Sequence, residues 1–261
     1  VENRYAMSQR RTPVAVVTGG ARGIGAAIAD RLASDGFDVV RLDVVRLDVA
    51  PEAPTDSRVV ECDVSDHTAV QRVAAEIGPV DALVNNAGIW RFSLLEDVAP
   101  DDFAAVLRVN LGGVFNCTQA FGRSMLDRGG SIVNIVSIAA AAASPGVGAY
   151  SASKAAIVAL TRQTALEWGP RGVRANAVGP GLVPTPGSNE VYHDDRVREV
   201  RANAVPLRRL GAPADIANTV AFLVSADASY VTGQVIYVDG GISESLMTLI
   251  PRPIELPGPH L

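Results

Sequence analysis

Short apolar, β-branched runs alternate along the chain with longer stretches whose apolar positions recur at helical spacing. Residues 14–18, 37–43, 58–64, 80–88, 131–136, 172–178 and 233–238 each predict a short strand, in the main without polar alternation. Between them, residues 26–34 have helical character, and Ser65 and Asp66 are placed to cap a helix reaching about Ile77. Pro100 opens a long helix with Phe103, Val106, Leu107, Leu111 and Val114 at its apolar positions. Further helices are expected over 149–168 and 215–226. Strands alternating with helices imply an α/β protein with a parallel, doubly wound sheet.

Composition narrows this picture without changing it. A hydrophobic share of 48% and a charged share of 20% over 261 residues suit one large globular unit with a sizeable core. Lys and Arg number 23 against 28 acidic residues, a formal charge of −5, which leaves no electrostatic footprint for nucleic acid. No apolar run reaches the ~18 residues of a membrane span, so no membrane partner is expected. Cys62 and Cys117 stand far apart, in no metal-ligand spacing, so no metal site is expected and a reduced, cytoplasmic setting fits. Residues 1–11 are expected to be disordered or added for expression, with Met7 the natural start; 12–241 form the domain, and 242–261 a Pro-rich extension.

The first strand runs into Gly19-Gly20-Ala21-Arg22-Gly23-Ile24-Gly25 and then a helix. Strand, glycine-rich turn and helix start form the arrangement that seats a pyrophosphate on backbone N–H groups. The spacing Gly-x-x-x-Gly-x-Gly differs from the commonest dinucleotide fingerprint, and a turn without a ligand stays an alternative. Asp43 ends the second strand close to the ~20 residues after the glycines where an acid binds an adenosine ribose. A carboxylate there accepts from both ribose hydroxyls and repels a 2′-phosphate, favouring NAD over NADP. The repeat Val-Val-Arg-Leu-Asp at 39–43 and 44–48 makes Asp48 a rival, and Arg41 or Arg46 a possible phosphate partner. Asp63 ends the third strand, either as a turn residue or facing a ligand.

Ser137 follows the fifth strand, and Tyr150 and Lys154 stand one turn apart on the helix after it. A free tyrosine ionises near ~10. A neighbouring ammonium lowers that value, so the phenol can exchange a proton with an alcohol or carbonyl oxygen that Ser137 holds. Taken alone, a Tyr-x-x-x-Lys pair is common and in most cases merely decorates an ordinary helix. Residues 182–206, polar and proline-bearing, are expected to form a lid. Trp90 and Arg91 follow the Asn85-Asn86-Ala87-Gly88 turn; if Arg91 or His193 faced the pocket, an acidic or polyhydroxylated substrate would be favoured.

With these residues in order, residues 12–241 resemble the short-chain dehydrogenase/reductase family. The matching motifs are Thr18-Gly19-x-x-x-Gly23-Ile24-Gly25, Asp63-Val64, Asn85-Asn86-Ala87-Gly88, Pro180-Gly181 with Thr185, and Tyr237-Val238-Asp239-Gly240-Gly241. Asn110, Ser137, Tyr150 and Lys154 fall on the family's catalytic tetrad. The resemblance implies a Rossmann-like fold, with Tyr150 exchanging the proton and Ser137 holding the substrate oxygen. Lys154 would bind the nicotinamide ribose and lower the Tyr150 pKa, while Asn110 would hold a water in a proton relay.

Implied cofactor contacts are Gly19, Arg22, Gly23, Ile24, Gly25, Asp43, Asp63, Val64, Asn86, Tyr150, Lys154, Val183 and Thr185. The implied cofactor is NAD, with NADP kept open by Arg22, and the implied assembly a homotetramer. The expected activity moves a hydride between nicotinamide and a small secondary alcohol, ketone or sugar hydroxyl. The alternatives are a 3-oxoacyl thioester reductase and a non-catalytic nucleotide sensor. The family usually stops soon after Asp239-Gly240-Gly241, whereas Pro251, Pro253, Pro257 and Pro259 punctuate a further stretch here. That stretch is either a disordered tail, or its Leu246-Met247-Leu249-Ile250 segment packs across a neighbouring subunit.

Overall fold

The computed structural model describes residues 11–44, 58–188 and 192–249, with side chains up to Ser245. Seven parallel strands form one sheet, ordered β3-β2-β1-β4-β5-β6-β7. They are β1 (Val14–Thr18), β2 (Asp38–Asp43), β3 (Arg58–Glu61), β4 (Ala82–Asn85), β5 (Gly130–Ile135), β6 (Val173–Pro180) and β7 (Val235–Val238). The chain leaves β1 for one edge, then returns to pair β4 on the other side of β1. That reversal opens a crevice beyond the carboxyl ends of the strands, where open α/β sheets bind ligands.

Two apolar layers cover the sheet because its strands alternate sides. Val17 packs on one face with Ile28 and Leu32 of α1 (Gly23–Ser34) and Ile216 and Val220 of α7 (Pro213–Val224). Val16 packs on the other with Val70 of α2 (His67–Ile77) and Cys117 and Phe121 of α4 (Gly113–Gly122). Burial of each large aliphatic or aromatic chain contributes roughly 1.5–3 kcal/mol. The expected cap of α2 is present: the Asp66 carboxylate accepts from Thr68 N and Ala69 N at 2.9 and 3.1 Å.

Three sequence expectations change. The long helix from Pro100 comprises α3 (Pro100–Leu107), a π-helical turn (Arg108–Gly112) and α4, and Asn110 sits inside the π turn. Such turns are frequent at functional sites because they re-aim one side chain. The expected lid over 182–206 is partly regular: Pro186–Ser188 is a 3₁₀ turn, and Asp195–Ala204 forms α6, N-capped by Asp194 on Arg196 N at 2.8 Å. Periodicity missed α6 because it buries no residue and so carries no apolar stripe. The extension begins as a 3₁₀ segment, Ile242–Leu249; its prolines lie outside the described residues, as do Arg46, Asp48 and the loop 51–57.

Candidate active site

Close packing of the glycine turn places helix α1 over the end of β1. Gly19 and Gly23 adopt φ of 61° and 58°, where L side chains are strained. A Cβ on Gly25 would stand 2.0 Å from the Gly19 carbonyl oxygen and 2.5 Å from Asn86 Nδ2, so only glycine fits there. No side chain caps α1, and its first residues, Gly23, Ile24 and Gly25, line the crevice. Asn86 ties the turn to β4, its Nδ2 donating to the carbonyls of Thr18 and Gly19 at 3.0 Å each. The Thr18 hydroxyl accepts from Asn86 N and Ala87 N at 2.9 and 3.0 Å.

Asp43 ends β2 at the crevice and accepts from Ala21 N at 3.1 Å and Val44 N at 2.9 Å. Arg41, two residues earlier on the same face of β2, reaches under the turn to α1 instead of into the crevice. It is buried, donates to the Gly20 carbonyl at 3.1 Å and pairs with Asp30 of α1. The phosphate role considered for it is therefore corrected: Arg41 braces the glycine turn from behind. Asp63 accepts from Ser65 N at 2.8 Å, so its turn-forming role is real while its residue still lines the crevice.

One cleft of about 640 Å³ runs over these strand ends. It is lined by Gly19, Arg22, Gly23, Ile24, Gly25, Asp43, Asp63, Val64, Asn86, Ser137, Tyr150, Lys154, Val183 and Thr185. Asn110 alone among the expected residues stays out of the lining. It is fully buried behind the wall, its Oδ1 accepting from Ile89 N at 2.8 Å. Its Nδ2 donates to Ile89 O at 2.9 Å and to Ser153 Oγ at 3.0 Å. Asn110 thus clamps the 86–89 turn to the Tyr150 helix, α5 (Gly148–Trp168).

Ser137 stands at the tip after β5, its hydroxyl accepting from Ala139 N at 3.1 Å. Lys154 is buried, donates to the Ile135 carbonyl at 2.8 Å and lies 5.5 Å from the centre of the Tyr150 ring. Burial lowers its pKa to about 8. The Tyr150 phenol departs from expectation in the opposite sense: burial raises it, and the hydrogen bond with Ser137 only partly offsets that. Desolvation of the phenolate is the larger of the two effects.

Pro186, Gly187 and Ser188 of the expected 182–206 lid line the cleft, as do Ile89, Trp90 and Val109, which were not assigned to it from sequence. The largely apolar side chains of these three carry no local chemical signal. Arg91 faces Asp102 at 3.5 Å, and neither Arg91 nor His193 lines the cleft, so the acidic-substrate condition is not met.

Residues 19–243 match the family model described as enoyl-(acyl carrier protein) reductase. The chain is 37% identical over 246 residues to the 3-oxoacyl-(acyl-carrier-protein) reductase FabG of Staphylococcus aureus, covering 89% of this chain and 99% of that one. It is 40% identical to the short-chain reductase protein NovJ of Streptomyces niveus, with 87% and 93% covered. A gluconate 5-dehydrogenase from Burkholderia cenocepacia, solved with NADP and tartrate, superposes with a TM-score of 0.84 at 34% identity, covering 90% and 96%. Thermoplasma acidophilum aldohexose dehydrogenase gives 0.83 at 34% identity, covering 95% and 98%. The chain belongs to the short-chain dehydrogenase/reductase family, and is an oxidoreductase acting on CH–OH or keto groups with a nicotinamide cofactor. Among the described residues, no helix is long and apolar enough to cross a membrane.

Proposed function

We propose that the protein is an NAD-dependent dehydrogenase or reductase of a small secondary alcohol–ketone pair, with Tyr150 as its acid and base. The carrying observation is that Ser137, Tyr150 and Lys154 line the same cleft as the glycine turn and Asp43. The close-packed glycines let backbone N–H groups approach a pyrophosphate. Asp43, at the end of β2, would accept from the adenosine ribose, and Asp63 and Val64 would flank the adenine. Val183 and Thr185 would border the nicotinamide, and Lys154 its ribose. Asp43 supports NAD, whereas Arg22, exposed in the glycine turn, is the feature that accommodates NADP.

A bound nicotinamide supplies or accepts the hydride. Ser137 holds the substrate oxygen, and Tyr150 gives it a proton in reduction or takes one in oxidation. Lys154 places positive charge beside the phenol and favours its ionised form. Asn110 holds the turn and helix that carry these groups. Exposed Phe115 on α4 and Leu166 on α5 support assembly of identical chains, for which we propose a homotetramer.

The likeness to FabG favours a second reading, reduction of a 3-oxoacyl thioester. Absorbance of the reduced nicotinamide, followed for secondary alcohols and sugars with NAD and NADP and for acetoacetyl-CoA with NADH and NADPH, separates the two. Turnover with NAD and an alcohol, lost in Tyr150→Phe with NADH binding retained, supports the first reading. Turnover confined to acetoacetyl-CoA and NADPH replaces it with the second.

A further inference from the structure

We propose that Trp90 is the substrate-recognition wall of this site and selects an uncharged, ring-bearing ketone or secondary alcohol. The proposal rests on the oxidoreductase reading above and names its substrate class. Trp90 stands edge-on to the Tyr150 ring, with centroids 6.5 Å apart and planes at 86°. Its other side reaches the 186–188 turn, where a Cβ on Gly187 would approach Trp90 Cη2 to 3.2 Å. The indole therefore spans the cleft wall from the phenol to that turn. Its placement is firm, because Asn110 holds both backbone groups of the preceding residue, Ile89. Phe92 continues the aromatic surface outward, with its centroid 6.5 Å from Trp90 and 63% of its surface exposed.

Charge in the cleft lies elsewhere. Arg22, Asp43 and Asp63 belong to the glycine-turn end, and the Lys154 ammonium is buried on the Ile135 carbonyl. Arg91 is turned to Asp102, so no described residue at the Trp90 end offers a counter-ion to a carboxylate or phosphate. Hydroxyls are scarce there too. Ser137 and Tyr150 serve the reacting oxygen, and the Ser188 hydroxyl is engaged by Thr185: it accepts from Thr185 N at 2.9 Å and donates to Thr185 O at 3.2 Å. Each additional substrate hydroxyl that loses water without gaining a partner costs about tenfold in kcat/KM. A flat apolar ring loses little water and packs on the indole instead.

The test uses the full chain with NAD and three neutral or charged probes: 1-indanol, 2-butanol and gluconate. We expect kcat/KM for 1-indanol to exceed that for 2-butanol by about tenfold or more, with gluconate lowest. Trp90→Ala should cut the indanol-to-butanol ratio about tenfold, and Trp90→Phe should keep most of it. A second readout needs no turnover: 1-indanone added with NAD has no hydride to exchange. It should quench the Trp90 emission in the wild type, and the Trp90→Ala variant, whose remaining Trp168 packs against Gly122, should show no quenching. Higher activity on gluconate, or an unchanged ratio in Trp90→Ala, overturns the proposal. NADH binding without turnover of any ring-bearing compound overturns the substrate class alone. Failure to bind NADH at all overturns the cofactor reading, and this inference with it.

Discussion

The Lys154 ammonium lies 5.5 Å from the centre of the Tyr150 ring while donating to the Ile135 carbonyl at the end of β5. Burial acts on both groups in opposite senses, holding the phenol protonated and bringing the ammonium down to about 8. At neutral pH the pair therefore presents a protonated Tyr150 beside a charged Lys154, suited to protonating a ketone oxygen.

A pH profile tests this directly. Lys154 is charged below about 8 and loses its charge above it. Ketone reduction should hold level from pH 6 and fall above pH 8, about tenfold per unit. Lys154→Arg should remove that break, since guanidinium keeps its proton. A wild-type profile level to pH 9.5 contradicts the assignment.

Stability should move the other way. The folded pKa of about 8 lies below the ordinary 10.5, so between those values the unfolded chain binds more protons and stability rises with pH. Below pH 8 the buried charge costs about 3 kcal/mol. Lys154→Met removes that cost but leaves the Ile135 carbonyl unpaired, a loss of roughly 1–3 kcal/mol. Calorimetry at pH 7 should give a Tm equal to or above that of the wild type, with turnover lost and no stability gain from pH 8 to 10.5.

Asp43→Asn keeps the shape of the second-strand tip but removes its charge. Hydrogen bonds to charged groups contribute roughly 1.5–3 kcal/mol, so kcat/KM with NAD should fall about 10- to 100-fold. Activity with NADP should rise as repulsion of a 2′-phosphate disappears. Steady-state kinetics with both cofactors check this, and an unchanged NAD/NADP ratio would remove Asp43 from the ribose site.

Gly25→Ala places a methyl 2.0 Å from the Gly19 carbonyl oxygen, a backbone atom that cannot swing aside. The helix must lift from the turn, so NADH affinity should drop at least about 100-fold, by fluorescence titration, with the far-UV spectrum retained. Asn110→Ala should act on kcat instead, about 10- to 100-fold, because its lost bonds to Ile89 and Ser153 loosen the wall and α5 together.

Sequence alone determined the alternation of strands and helices, because buried parallel strands need continuous apolar runs and helices packed on a sheet need an apolar stripe. It also placed the glycine turn, Asp43 and the Tyr150–Lys154 spacing, since these depend on local backbone geometry. Tertiary structure decided what local pattern does not encode. Asn110 became a buried clamp because a π turn aims it at Ile89, and Arg41 a brace because β2 carries it beneath the glycine turn. Trp90 gained its meaning only when chain segments 60 positions apart in sequence met, placing an indole against the Tyr150 ring. The direction of the phenol's pKa was likewise tertiary, because desolvation depends on what surrounds the hydroxyl and not on which residue lies one turn away.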